Sequence, residues 1–260
     1  GLDLLITNLM LDATVMGQIS VAKNLETIAT AMIFKIISAF RPRCLRLYAE
    51  EKTEELAALL RTAMKLTSSF CSLIVLGFFV CGYDFLRLWL PGQDTAFLYR
   101  VGMIVLLSDI ATGAVQPLYY VYTLAKKLRL PCIITILMGA ANVASMYVLL
   151  RYTSIGAEAV VLTTLVLSLV HFVDAPLYAA HCLQLPLGTF YPTLARSGAA
   201  LAAGFAAAAV LRRVLPAAAG WAALLGKGMA AVAVLLPVLV LVGLGPRQAA
   251  RYVHKQRNKG

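Results

Sequence analysis

Seven long apolar blocks run through the chain, at residues 15–40, 58–82, 97–123, 130–151, 157–181, 194–213 and 219–244. Each has the roughly 20 residues that a helix needs to cross the hydrocarbon core of a bilayer. A shorter block, 1–11, opens the chain. Lipid offers no partner to backbone N–H and C=O groups, so spanning segments are helices or closed barrels, and blocks this long are not barrel strands. The sequence therefore predicts an all-α membrane protein, a polytopic bundle of about seven or eight transmembrane helices.

Composition agrees, with 61% hydrophobic and 13% charged residues and a mean hydropathy of +0.82, beyond the balance of a soluble domain. A net charge of +11 is of the size that nucleic-acid binding would need, but the positions of the bases argue against it. Arg41, Arg43, Arg46, Lys52, Arg61 and Lys65 surround the first full loop. Lys126, Lys127 and Arg129 mark the third, Arg196 the fifth, and Arg247, Arg251, Lys255, Arg257 and Lys259 the tail. The intervening loops hold only Arg87, Arg100, Arg151, Arg212 and Arg213. The positive-inside rule then places the rich loops and the C-terminus in the cytoplasm, with the chain multi-pass in its membrane. Membrane lipids are the expected partner of the basic tail, and nucleic acid is not.

Cys44, Cys71, Cys81, Cys132 and Cys182 are scattered and odd in number, without a CxxC or other metal-ligand spacing. The expectation is buried, inert thiols, with no metal and no cofactor. No GxSxG, P-loop or HExxH pattern points to an enzyme. Gly1 is not an initiator methionine and the opening block is half a span long, so the chain reads as a piece of something larger.

The loops are short, which leaves one membrane domain. In the longest, 41–60, Arg46 and Glu50 stand at i,i+4, while Leu45, Ala49, Leu56, Ala57 and Leu60 supply an apolar face. An amphipathic helix near 43–57, lying at the inner interface, fits that pattern. Leu88-Trp89-Leu90-Pro91-Gly92 reads as an outer turn with an aromatic anchor, and Tyr119, Tyr120 and Tyr122 as anchors at the inner end of the third span. The last two spans are rich in alanine and leucine, and small residues over 198–204 recur at spacings of four, which permits close helix contact.

Several stretches, taken in order, carry a family likeness. They are Leu2-Asp3-Leu4-Leu5-Ile6, then Val15-Met16-Gly17-Gln18 with Val21-Ala22-Lys23. Next come Phe40-Arg41-Pro42 with Tyr48-Ala49-Glu50 and Met64-Lys65, and Leu86-Arg87-Leu88-Trp89-Leu90-Pro91. Last are Gln116-Pro117-Leu118 through Ala125-Lys126-Lys127, and Asn142 followed by Ile155-Gly156-Ala157-Glu158-Ala159-Val160. Together they resemble the C-terminal half of polysaccharide flippases, the Wzx-type lipid-linked oligosaccharide exporters of the MATE-like superfamily. Gln18 departs from the pattern, standing where a tyrosine is common. The likeness covers about residues 1–185, the core helices of a flippase C-lobe, and leaves 186–260 as two additional spans and the basic tail. It implies two helical bundles around a central cavity, alternating access, an undecaprenyl-pyrophosphate-linked oligosaccharide as substrate, and an N-terminal lobe as partner.

Charges inside spans cost on the order of 2.5–3.5 kcal/mol each on insertion scales, so each needs a reason. Lys23 and Glu26 stand about 60° apart and one turn from each other, close enough to pair. Asp109, Gly113, Gln116 and Tyr120 fall within about 40° on the third span, with Thr112 and Thr123 flanking and Pro117 expected to open the helix. This stripe reads as a cavity wall with Asp109 as a proton or cation site, or as interhelical hydrogen bonding without a transport role. Lys23 and Lys65 are candidates to hold a pyrophosphate, with Gln116, Tyr120 and Asn142 as further substrate contacts. A solvated helix end explains Arg61 and Lys65 almost as well. His171 and Asp174, at i,i+3, can relay protons or simply satisfy each other. Lys227, in the last span, is expected to snorkel.

The resulting reading is a flippase C-lobe that moves a lipid-linked oligosaccharide for polysaccharide biosynthesis, with Asp109, Glu26, His171 and Asp174 as coupling groups. Three rivals stand beside it: a cation or drug antiporter of the same superfamily, a flippase for the lipid II precursor, and a non-transporting membrane scaffold subunit.

Overall fold

The computed structural model describes residues 13–153, 156 and 158–244. Ten α-helices account for nearly all of it: α1 Ala13–Ser38, α2 Arg41–Ala49, α3 Thr53–Trp89, α4 Thr95–Val115, α5 Tyr119–Leu124, α6 Arg129–Tyr152, α7 Glu158–Ser168, α8 His171–Cys182, α9 Tyr191–Val214 and α10 Trp221–Leu244. The opening block 1–11, with its Leu2-Asp3-Leu4-Leu5-Ile6 motif, and the basic residues from Arg247 onward lie outside the described residues, as do Ile155 and Ala157.

Among the described residues, six helical stretches are long and apolar enough to span a membrane: Thr53–Trp89, Thr95–Leu124, Arg129–Tyr152, Glu158–Cys182, Tyr191–Val214 and Trp221–Gly243. The chain is a multi-pass helical membrane protein. The block at 15–40, expected as a seventh span, forms a helix of ample length, 26 residues. It is too polar to count by composition, because Gln18, Lys23, Asn24, Glu26 and Lys35 interrupt its apolar run. Two spans are compound. Pro117 has no N–H to give the Gly113 carbonyl, so α4 stops at Val115 and a 3₁₀ turn, Gln116–Leu118, leads into α5. The Glu158–Cys182 span tightens into short turns between α7 and α8, and Pro176 denies a donor to the Phe172 carbonyl just beyond.

Helix direction alternates, so the connections gather at two ends. At one end Tyr178 donates to the Lys127 carbonyl at 3.1 Å. At the other, Gln18 reaches Gln93 at 3.4 Å, Arg100 pairs with Glu158 at 2.9 Å, and Arg87 donates to the Ala218 carbonyl at 2.6 Å. The first end collects Arg41, Arg43, Arg46, Lys52, Lys126, Lys127, Arg129 and Arg196, and the second the sparser set. The charge asymmetry read from sequence is thus an asymmetry of the folded molecule. We call the first the basic end.

The interfacial helix differs from expectation. α2 is only nine residues long, and the chain turns at Glu51, whose φ of +56° ends it, before α3 begins at Thr53. Leu56, Ala57 and Leu60 therefore belong to α3, and α2 buries Cys44 and Leu47 while Leu45 is exposed. Arg46 stands 3.7 Å from Glu50, but Lys52 is closer at 2.9 Å. The hydrogen bond from Lys52 holds the Glu50 carboxyl below its ordinary range.

α3 is the central post, with α4, α9 and α10 packed along it. Lipid gives no hydrophobic drive for helices to associate, so close packing must do it. Ala200, Gly204 and Ala208 are the buried face of α9, and a Cβ at Gly204 would collide with Leu76. At Gly198, also part of the small-residue stretch, an added Cβ would meet no atom of the described residues within 4 Å. The Phe78 ring fills the space over Gly82 and Gly102 and stacks on Tyr99 at 5.6 Å. By contrast α6 buries only Met146, leaving most of its surface uncovered by the described residues.

Candidate functional site

The break at Pro117 turns the α4–α5 span so that Thr112, Gln116 and Tyr119 face α6 and α8 across an open hollow of ≈590 Å³. α6 contributes Cys132 and Thr135, and α8 contributes His171, Asp174 and Tyr178. His171 Nδ1 lies 3.2 and 3.3 Å from the two Asp174 oxygens, the local pair that i,i+3 spacing predicts. The aromatic rings pack together: Tyr119 on His171 at 6.1 Å, Tyr119 on Tyr122 at 5.6 Å, and Tyr122 on Tyr178 at 5.0 Å. Tyr122 donates to the Ala175 carbonyl at 3.1 Å, and so ties the α5 ring to α8. The tyrosines expected as headgroup anchors are thus core and pocket residues: Tyr122 is buried and Tyr119 faces the hollow. The lining contains a carboxylate, an amide and hydroxyls, and neither lysine nor arginine.

A second polar cluster sits at mid-span between α1 and α4. Lys23 Nζ is 2.8 Å from Glu26 Oε2, as the sequence predicts. Both act on Asp109, across on α4, and the Thr30 hydroxyl stands beside the Asp109 carboxylate. Asp109 is buried, and its Oδ2 has no hydrogen-bond partner among the described residues. Its neighbour one turn on, Gly113, presses against Cys71 of α3 and Ile33 of α1. The predicted stripe is therefore divided between two interfaces. Asp109 and Gly113 face α1 and α3, whereas Gln116 looks into the hollow.

Other candidates fall elsewhere. Tyr120, expected on the stripe, lies under the Arg41 guanidinium at 5.7 Å and pins α5 to α2, because the 3₁₀ turn shifts the helical phase past Pro117. Asn142 is half-buried on α6, about two turns beyond Thr135 and outside the hollow. Lys65 is on α3, within electrostatic reach of Arg61 and Arg196. Lys227 does not snorkel. Its ammonium is 2.8 Å from Asp84 Oδ2, which also accepts from the Ala218 N–H at 3.0 Å. Asp84 had no sequence signal, since its partner lies 143 residues away. A further hollow of ≈790 Å³ runs between α1, α3 and α10, lined by side chains such as Ile28, Met32, Phe78, Leu225 and Met229.

No family model matches the chain. Among curated proteins it is similar to the "Uncharacterized membrane protein EpsK" of Bacillus subtilis (strain 168), 26% identical over 185 residues. That stretch takes in 69% of this chain and 35% of the relative, so the chain matches about a third of the relative's length. No solved structure matches.

The thiols can report on the hollow. Cys44, Cys71 and Cys182 are buried as expected, but Cys132 is exposed and lines the hollow. The reason is that α6 packs so little of its surface. Burial pushes the Cys44 thiol up from its ordinary value, which keeps it protonated and unreactive. Maleimide applied to the folded protein is expected to modify Cys132 first, with Cys132→Ser removing that fastest-labelled site. Mass spectrometry of the peptides checks the order.

Proposed function

We propose that the chain is the C-terminal half of a bacterial inner-membrane transporter that flips an oligosaccharide linked to undecaprenyl pyrophosphate, for polysaccharide biosynthesis, with the basic end in the cytoplasm. The observation that carries this reading is the ≈590 Å³ hollow among membrane-spanning helices, where Gln116, His171 and Asp174 meet three tyrosine rings. A glycan presents hydroxyls to such polar groups and apolar C–H faces to such rings, and the volume lies within the range of ligand sites. With a carboxylate and neither lysine nor arginine, the lining suits the uncharged sugar and offers a pyrophosphate no fixed cation. The separate groove between α1, α3 and α10 is apolar and suits the isoprenoid tail. Asp109 with Glu26 and Lys23, at mid-span, is the group to which ion or proton movement couples. An N-terminal lobe supplies the facing wall, and rocking of the two lobes exposes the hollow to each side in turn. The order of motifs that resemble Wzx-type flippases, and the greater length of the similar membrane protein, support the same reading.

A second reading is cation or drug antiport. It is favoured by Asp174 beside tyrosine faces with neither lysine nor arginine in the lining, a setting that also suits an organic cation.

Asp174→Asn and Gln116→Ala separate the two. For a glycan flippase, each lowers surface polysaccharide in cells that depend on this protein, at unchanged protein level, while resistance to cationic drugs stays the same. Loss of drug resistance with glycan export intact would reject the flippase reading.

A further inference from the structure

The hollow has a rim as well as a lining, and the rim carries charge that the lining lacks. Between α5 and α6 the chain makes a tight turn over residues 125–128. Lys126 takes a φ of +55°, and the Lys127 N–H returns to the Tyr122 carbonyl at 3.0 Å, which closes the turn on α5. The Tyr178 hydroxyl donates to the Lys127 carbonyl at 3.1 Å and so ties the same turn to α8. Both Leu128 and Tyr178 line the hollow. Lys127 and Arg129 flank Leu128 in sequence, so their Cα atoms stand about 3.8 Å from its own. Arg129 opens α6, and at about 100° per residue it lies within about 20° of Ile136 and about 60° of Cys132, both lining residues. It therefore leaves the face of α6 that borders the hollow, one turn nearer the basic end. Lys126, Lys127 and Arg129 are exposed, and none of the ion pairs among the described residues involves them. Residues 110–157 contain no Asp or Glu. Of the helices around the turn, α5 and α6 hold no acid, and α8 holds one, Asp174, which His171 engages.

We propose that the turn between α5 and α6 is the diphosphate subsite of the hollow, with Lys127 and Arg129 holding the phosphates of a lipid-linked sugar and Lys126 adding charge. The inference rests on the glycan reading above and deepens it. A diphosphate joins such a sugar to its isoprenoid, so it has to sit beside the sugar, at the opening through which the tail leaves. The lining offers it no lysine or arginine and holds the Asp174 carboxylate, which turns a multiply charged anion away from the interior. At the rim the Arg129 guanidinium presents paired donors to phosphate oxygens, and the lysine ammoniums add point charges. These cations stay in water until the substrate arrives, so no buried charge has to be sustained in its absence. Lys23 and Lys65, which the sequence offered for this task, are not in the lining of the hollow. The substrate is thereby ordered along the span, with the diphosphate at the turn and the sugar against Gln116, His171 and the tyrosine rings.

The test is binding by the purified full chain in neutral detergent, read by native mass spectrometry with undecaprenyl pyrophosphate, phosphatidylglycerol and inorganic pyrophosphate as probes. Undecaprenyl pyrophosphate is expected to bind more tightly than either of the others. Each cation removed weakens that binding about fivefold, so Lys127→Gln with Arg129→Gln loses about 25-fold. Lys127→Arg with Arg129→Lys keeps the charge and most of the binding. Arg151→Gln with Arg213→Gln, at the opposite end, leaves it unchanged. All four positions are exposed, so these variants keep the fold. Equal affinity of wild type and Lys127→Gln/Arg129→Gln for undecaprenyl pyrophosphate overturns the proposal. So does equal binding of phosphatidylglycerol, which marks a general headgroup contact, or of inorganic pyrophosphate, which marks a site for a soluble anion. Export in cells separates this inference from the glycan reading. Loss of export in Asp174→Asn but not in Lys127→Gln/Arg129→Gln removes the subsite and keeps the reading, whereas export intact in both removes the reading and the subsite with it.

Discussion

Asp84→Ala is expected to destabilise the folded protein by about 3–5 kcal/mol, the usual cost of leaving one member of a buried ion pair alone. Asp84 is 6% exposed and Lys227 is 9% exposed, so neither charge has much water to fall back on. The carboxylate serves three groups: the Lys227 ammonium at 2.8 Å, the Ala218 N–H at 3.0 Å and the Arg87 guanidinium at 3.5 Å. Arg87 closes the ring by donating to the Ala218 carbonyl at 2.6 Å. α3, the α9–α10 connection and α10 are thereby tied at the end opposite the basic one. Removing the carboxylate strands an ammonium on α10 between Gly226 and Gly228, which offer it no other side chain. The double variant Asp84→Leu/Lys227→Met is expected to recover most of the loss, because two apolar side chains replace a pair whose desolvation cost nearly cancels its attraction. The Ala218 N–H loses its acceptor in both variants, which leaves about 1–3 kcal/mol unrecovered. Reversible unfolding in detergent measures all three proteins. A single Asp84→Ala variant within about 0.5 kcal/mol of wild type would show that the pair is a surface contact.

The contrast between Asp84 and the pairs read from sequence shows where legibility ends. Lys23 with Glu26, and His171 with Asp174, were legible because three residues along a helix bring two side chains to one place whatever surrounds them. Asp84 with Lys227 depends on how α10 returns against α3, and nothing local encodes it. The same limit governed the stripe on the third span. Helical projection kept Asp109, Gln116 and Tyr120 together, but a projection has one axis and one phase. The 3₁₀ turn at Gln116 changed the phase, and a second neighbour took one edge of the stripe. Asp109 went to α1, Gln116 to the hollow and Tyr120 to Arg41. Spans themselves were readable from length and hydropathy. The first block was the exception, because it has a span's length and carries its charges where α1 meets α4.

That junction carries the other large effect. On the flippase reading proposed above, Asp109→Asn is expected to leave the protein folded and inserted while lowering glycan export about 5- to 150-fold, the range of an ordinary coupling free energy. Asparagine keeps the shape of the side chain and can still meet the Thr30 hydroxyl, so packing against α1 and against Cys71 through Gly113 is preserved. What changes is charge. Among the described residues, Lys23, Glu26 and Asp109 together hold two acids and one base near the middle of their spans, where each charge is costly and a resident proton or cation relieves the imbalance. In the variant the remaining acid and base, Glu26 and Lys23, neutralise each other at 2.8 Å, and the cluster has no reason to take up or release an ion. Proteoliposomes with an imposed ion gradient give the discriminating measurement. On the same reading, wild-type flipping is expected to respond to the gradient, and Asp109→Asn to flip slowly at a rate that the gradient does not alter. If Asp109→Asn flips at the wild-type rate and still follows the gradient, the buried carboxylate serves helix packing alone, and coupling has to be sought at His171 and Asp174.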